Sequence, residues 1–99
     1  MNELKLIITD RAKEDISIIT DYIAKDNKNA AKAMSVYLYK ICSDLAMFPN
    51  MGISRPDFTY KDFKFFTIKK RYIIAYRVTN SHLYISRVLT GYQDICSLL

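Results

Sequence analysis

Apolar side chains recur along the first fifty residues with two different periods. Leu4-Lys5-Leu6-Ile7-Ile8-Thr9 is short, rich in β-branched residues and loosely alternating, which predicts a strand. After it, Ala12, Ile16, Ile19 and Ile23 are spaced by four, three and four positions. They therefore share one face of a helix, while Arg11, Lys13, Glu14, Asp21 and Lys25 point elsewhere. Thr9 or Asp10 supplies the side-chain oxygen that the free amides of a helix start require. This helix stops at Asp26-Asn27. A second begins near Asn29 and carries Ala30, Met34, Tyr37, Leu38, Ile41, Leu45 and Phe48 through about five turns, until Pro49 ends it. The connection is so short that the two helices must double back as an antiparallel hairpin on a common core.

Pro49-Asn50-Met51-Gly52 is the clearest break in the chain, and Arg55-Pro56-Asp57 continues the loop. Beyond it the period changes. Phe63 to Ile68, Tyr72 to Val78 and His82 to Leu89 are runs of β-branched and aromatic residues, divided by Lys69-Lys70-Arg71 and by Thr79-Asn80-Ser81. They predict an antiparallel meander. In the middle run Tyr72, Ile74, Tyr76 and Val78 share one face and Ile73, Ala75 and Arg77 the other, so it reads as a central strand. Gly91 to Leu99 is a polar turn followed by apolar residues, expected to dock as a short tail helix. The predicted fold is α+β: an N-terminal strand, a helical hairpin, a three-stranded meander and a C-terminal helix, in one domain over residues 1–99.

Composition fits that reading. With 99 residues, 51% of them hydrophobic and 25% charged, the chain suits one small globular core. The net charge of +5 is not spread evenly. Residues 1–54 hold seven basic and seven acidic side chains, whereas residues 55–99 hold eight basic against three acidic. A one-sided excess favours an acidic protein segment, nucleic acid or anionic lipid as partner. Cys42 and Cys96 lie far apart, without metal-ligand spacing, and are expected to be reduced structural thiols; no metal or cofactor is predicted. No apolar run approaches the ~20 residues of a membrane span, and Met1-Asn2-Glu3-Leu4 does not begin a signal peptide, so a cytoplasmic location is expected.

Candidate chemistry is concentrated in the basic half. His82, the single histidine, falls at a hairpin tip beside no carboxylate or thiol, which argues against a general base. No phosphate loop, nucleophile elbow or carboxylate pair is found. What remains is Lys64, Lys69, Lys70, Arg71, Arg77 and Arg87 interleaved with Tyr72, Tyr76, Tyr84 and Tyr92. Such a set can hold phosphates and stack bases, or anchor an acidic peptide. The core claims about half of those tyrosines.

Several segments together resemble the RelE/ParE superfamily of bacterial toxins, in particular its ParE-like branch. They are Ala12 with Asp15-Ile16, Ile19 and Tyr22; Leu45, Pro49, Gly52 and Arg55-Pro56-Asp57-Phe58; Tyr72 to Val78; and Ile85-Ser86-Arg87-Val88-Leu89-Thr90-Gly91 with Asp94-Ile95 and Leu98-Leu99. The resemblance runs over nearly the whole chain. It implies the toxin of a type II toxin-antitoxin (plasmid stabilisation) module, bound in a hetero-oligomer by the acidic C-terminal segment of a cognate antitoxin. ParE-type members are described as inhibitors of DNA gyrase that act by protein binding, and RelE-type relatives cut messenger RNA on the ribosome. On this resemblance Arg55, Lys64, Lys69, Arg71, Arg77, Arg87, Thr90, Tyr92 and Asp94 are the candidates for contact with target or antitoxin. Arg71, Arg87 and Tyr92 would carry cleavage in a ribonuclease. An antitoxin-binding module of reduced toxicity is a further alternative.

Two positions depart from the family pattern. Thr90 stands where many members carry His after the Arg-Val-Leu run, and Tyr92-Gln93 where a basic pair often precedes the aspartate. Threonine cannot act as a general base near neutral pH, which removes the histidine-assisted form of RNA cleavage. Reversing Arg77 or Arg87 to Glu is expected to weaken antitoxin binding by like-charge repulsion.

Overall fold

The computed structural model describes residues 4–59, 61–91 and 98–99. The elements run β1 (Lys5–Ile8), α1 (Asp10–Ala24), α2 (Lys28–Met47), a short 3-10 turn (Pro49–Met51), β2 (Lys64–Ile68), β3 (Tyr72–Val78) and β4 (His82–Thr90). Thr9, not Asp10, caps α1: its Oγ1 accepts from the Ala12 amide at 3.2 Å. The same hydroxyl faces the carbonyls of Ile85, at 2.8 Å, and Ser86, so one side chain starts the helix and fastens it to β4. Asn27 Oδ1 accepts from Ala30 N at 3.0 Å and starts α2 one residue earlier than the apolar period suggests.

The stripe that α2 buries also differs from expectation. Ala31, Leu38, Cys42, Leu45 and Ala46 are buried, with Met34 and Ile41 packed against the core. Ala30, Tyr37 and Phe48 are exposed. Ala30 stands one position before the buried Ala31, and Phe48 lies past the last helical residue at φ −130° and ψ 71°, where the chain has left the helix axis.

The sheet has four strands in the order β1-β4-β3-β2. β2, β3 and β4 form the antiparallel meander, and β1 joins it in parallel beside β4, from Lys5 opposite His82 to Ile8 opposite Ile85. The first strand is thus an edge of the same sheet, reached through the helical hairpin, as a parallel pairing demands. β2 begins at Lys64 and β4 extends to Thr90, each one residue from the apolar run.

β3 is buried on both faces from Tyr72 to Ala75, and Tyr76 is buried as well. Its Tyr72, Ile74 and Tyr76 pack with Ala12, Ile16 and Ile19 of α1 and Leu38, Cys42 and Leu45 of α2. On the other face Ile73 and Ala75 join Phe63, Phe65 and Leu89 under Phe58, Leu98 and Leu99. Tyr76 is a structural residue. It is fully buried, its hydroxyl donates to Pro49 O at 2.7 Å and accepts from Gly52 N at 2.8 Å, and a Cβ on Gly52 would collide with its ring. This explains a glycine at the break: any side chain would push the loop off the tyrosine.

The β2–β3 connection is tight. Arg71 N donates to Ile68 O at 3.0 Å, and Lys69 and Lys70 both lie in the left-handed region, at φ 52° and 57°. Glycine or asparagine normally occupies such positions, so two lysines there hold a strained, basic tip. The expected tail helix lies mostly in residues 92–97, outside the described residues. Among the described residues no helix is long and apolar enough to cross a membrane.

Candidate protein-binding surface

The meander register carries the β2–β3 tip to the end of β4. Tyr72 pairs with Thr90, and Gly91 N donates to Arg71 O at 2.9 Å, with Gly91 at φ 67° turning the chain away. Lys69, Arg71 and Thr90 are therefore neighbours. Arg71 and Thr90 border a cleft of about 520 Å³ whose far wall is the side of α1, lined by Ile18, Ile19, Tyr22, Arg71, Tyr72 and Thr90. Ile18 is 61% exposed and Tyr22 72%, large apolar surfaces for a small domain. Lys69 Nζ lies 5.1 Å from the Tyr37 ring centre, which draws that cation toward α2. Arg71 is exposed, and among the described residues its guanidinium has no hydrogen bond or ion pair.

The other predicted contact residues are placed elsewhere. Arg87 is turned inward: Nε and Nη2 donate to the two Asp15 carboxylate oxygens at 2.7 and 3.0 Å, and Nη1 donates to Leu98 O at 3.3 Å. Val88 N donates to the same carboxylate at 3.0 Å. The bond to Asp15 holds the Arg87 pKa above its ordinary value. Arg55 forks onto Asp57 at 3.0 and 2.8 Å and lies over the Phe58 ring at 4.1 Å, and hydrogen bonding from Arg55 lowers the Asp57 pKa. Lys64 Nζ donates to Asn50 Oδ1 at 2.8 Å. Arg77 sits against the Phe63 ring at 5.3 Å, on the sheet face away from the helices, beside a depression that Asp62, Tyr84 and Ser86 also line. Tyr92 and Asp94 lie outside the described residues.

His82 stacks on Tyr84 at 5.8 Å and contacts Ser81 Oγ through Nδ1 at 2.6 Å. It begins β4, whereas Thr90 ends it, so histidine and Arg71 stand at opposite ends of the sheet. The basic constellation is thus divided among the two sheet faces, the loop and the interior. Of the tyrosines grouped with it, Tyr72 and Tyr76 belong to the core. Ile18 and Tyr22 were not singled out as contact residues by the apolar period, because they flank the buried stripe instead of extending it. Their signal is a separate apolar pair at i, i+4.

Residues 6–95 match the family model described as ParE toxin of type II toxin-antitoxin system, parDE. No curated protein is matched. Among solved structures, a chain of the chromosomal ParDE toxin-antitoxin system from P. aeruginosa is similar at a TM-score of 0.75 and 19% identity, over 91% of this chain and 98% of that one. The two share the α+β fold of a helical hairpin on a mostly antiparallel sheet. The match to the family model extends from β1 to beyond β4, across both the helices and the cleft, and on it this chain belongs to the ParE toxin family of type II toxin-antitoxin systems.

Proposed function

We propose that this chain disables DNA gyrase by binding it as a protein, and is held inactive by a cognate antitoxin with an acidic segment. The observation that carries this reading is the position of Arg87. A ribonuclease of the RelE type would need Arg71 and Arg87 to converge on one phosphate, yet Arg87 spends Nε and Nη2 on Asp15 and Nη1 on the tail carbonyl of Leu98. A guanidinium so engaged stabilises the fold and cannot also stabilise a phosphorane without breaking those bonds. The exposed cations, by contrast, stand beside apolar surface, the mixture that protein interfaces use. Fold alone does not distinguish the two activities, so the site has to.

Expression of the chain in bacteria without antitoxin tests the reading. DNA-damage signalling and filamentation are expected, with full-length transcripts. Cleaved transcripts without DNA damage would contradict it, and so would unimpaired growth.

A further inference from the structure

One long stretch of this chain carries cations with no acid among them. From Asn27 to Ser43 the sequence holds Lys28, Lys32 and Lys40 and neither Asp nor Glu. That stretch is most of α2, whose 20 residues make a rod of about 30 Å. The helix buries Ala31, Leu38, Cys42 and Leu45, so the opposite side belongs to Asn29, Ala33, Val36 and Lys40, spaced by four, three and four. With Lys32 and Tyr37 they frame a shallow, open depression of about 470 Å³ along the outer side of the helix. Val36 is 64% exposed, and Tyr37 and Tyr39 are exposed beside it. Lys69 reaches to the Tyr37 ring at 5.1 Å and adds another cation to the border. This face shares no lining residue with the cleft at α1.

We infer that the outer face of α2 is the surface that engages gyrase, entering an apolar groove with an acidic rim on that protein. The inference rests on the proposed gyrase-directed function and adds which surface delivers it. The outer side of a helix is a convex ridge. A groove on a folded partner encloses such a ridge, whereas a loose peptide segment gains little from it. Val36 and Tyr37 supply apolar burial at the centre, Ala33 lets the groove wall come close, and Lys32, Lys40 and Lys69 meet carboxylates around them. Charge decides against a second copy of this chain. A twofold contact centred on Val36 would set Lys32 of one copy against Lys40 of the other when the helices run antiparallel, and like lysines together when they run parallel. A DNA strand would satisfy the lysines but leave Val36 without apolar cover.

The test measures inhibition of supercoiling by purified gyrase and, separately, antitoxin affinity by titration calorimetry. Wild type is compared with Val36→Gln, the double variant Lys32→Glu/Lys40→Glu, and Lys13→Glu. Lys13 is exposed on α1 and lines neither the cleft nor the α2 depression, so it controls for charge reversal. All four positions are exposed and the new residues suit a helix; thermal melts verify folding. The concentration for half inhibition should rise about tenfold or more in both α2 variants and less than about twofold in Lys13→Glu, with antitoxin affinity unchanged throughout. If wild type inhibits and the α2 variants inhibit equally well, the inference is overturned and the function stands. If wild type does not inhibit, the proposed function falls and the inference with it. Loss of antitoxin affinity in the α2 variants, with or without loss of inhibition, would assign the face to the antitoxin and overturn the inference. Loss of binding to a DNA duplex, with binding to DNA-free gyrase retained, would assign it to nucleic acid with the same result.

Discussion

Asp15 and Arg87 stand 72 positions apart and meet through two hydrogen bonds of 2.7 and 3.0 Å, both side chains nearly out of solvent. The carboxylate also accepts the amide of Val88. It thereby occupies the rim of β4 just past Ile85, where the pairing with β1 ends. One acidic side chain ties α1 to the sheet, and its partner arginine ties the sheet to Leu98. Removing one member leaves a buried charge without its counterion. Arg87→Glu or Asp15→Ala should destabilise the domain by about 3–5 kcal/mol, read from urea unfolding. Replacing both by apolar residues of similar volume should cost far less. A loss below ~1 kcal/mol in the single variants would show that the pair is not a fastening. Weaker antitoxin binding by Arg87→Glu is then expected to follow from damage to the fold.

Lys69 and Lys70 in the left-handed region predict a stability gain on substitution. Changing Lys69-Lys70 to Asn-Gly suits a turn with φ positive at both positions and should stabilise by about 1 kcal/mol or more. The same change removes two cations beside Arg71, so antitoxin affinity should fall as stability rises. A thermal melt and a binding titration on one variant separate the two effects.

Gly52 and Tyr76 form a lock between the loop after α2 and the central strand. Gly52→Ala drives a methyl into the tyrosine ring and should cost about 1–3 kcal/mol. Tyr76→Phe removes the donor to Pro49 O and the acceptor for Gly52 N, with a similar expected loss. The double variant should cost less than the two losses added together, because both act on one contact. Chemical denaturation of the three variants measures this directly.

Cys42 is fully buried in the α2 stripe, and burial pushes its thiol pKa up to about 12. The thiolate is the reactive form, so native Cys42 should resist alkylation at mildly alkaline pH and react once the chain unfolds. The sign for stability follows. A folded pKa above the unfolded one contributes stability that is complete below the unfolded thiol pKa and is lost as pH rises toward about 12. Mass spectrometry of the Cys42 peptide after native labelling checks the first expectation. Melting temperatures of Cys42→Ala and wild type through the alkaline range check the second.

Local pattern was enough to locate the helices and the meander, because spacing in α1 and alternation in β3 are set by which face each element buries. It could not assign β1 to the edge beside β4. Strand order depends on pairing across the intervening hairpin, and the short run Leu4 to Thr9 fits several neighbours. The buried stripe of α2 was misplaced by about one position for a similar reason: a helix carrying Ala30, Ala31, Tyr37 and Leu38 offers two adjacent apolar faces, and only the sheet selects between them. Asp15 had a legible signal, a carboxylate beside Ala12, Ile16 and Ile19, where burial demands a cationic partner. Which cation answers it was not legible, since Arg71, Arg77 and Arg87 all lie in the meander. The meeting of Arg71 with Thr90 follows from hairpin register. Its opposition to Ile18 and Tyr22 required the packing angle of α1 on the sheet.

The most direct measurement is a supercoiling assay with purified gyrase, run with this chain alone and then with antitoxin added. Inhibition should rise with toxin concentration and be reversed at stoichiometric antitoxin. Full supercoiling at toxin concentrations well above those that saturate the antitoxin would contradict it.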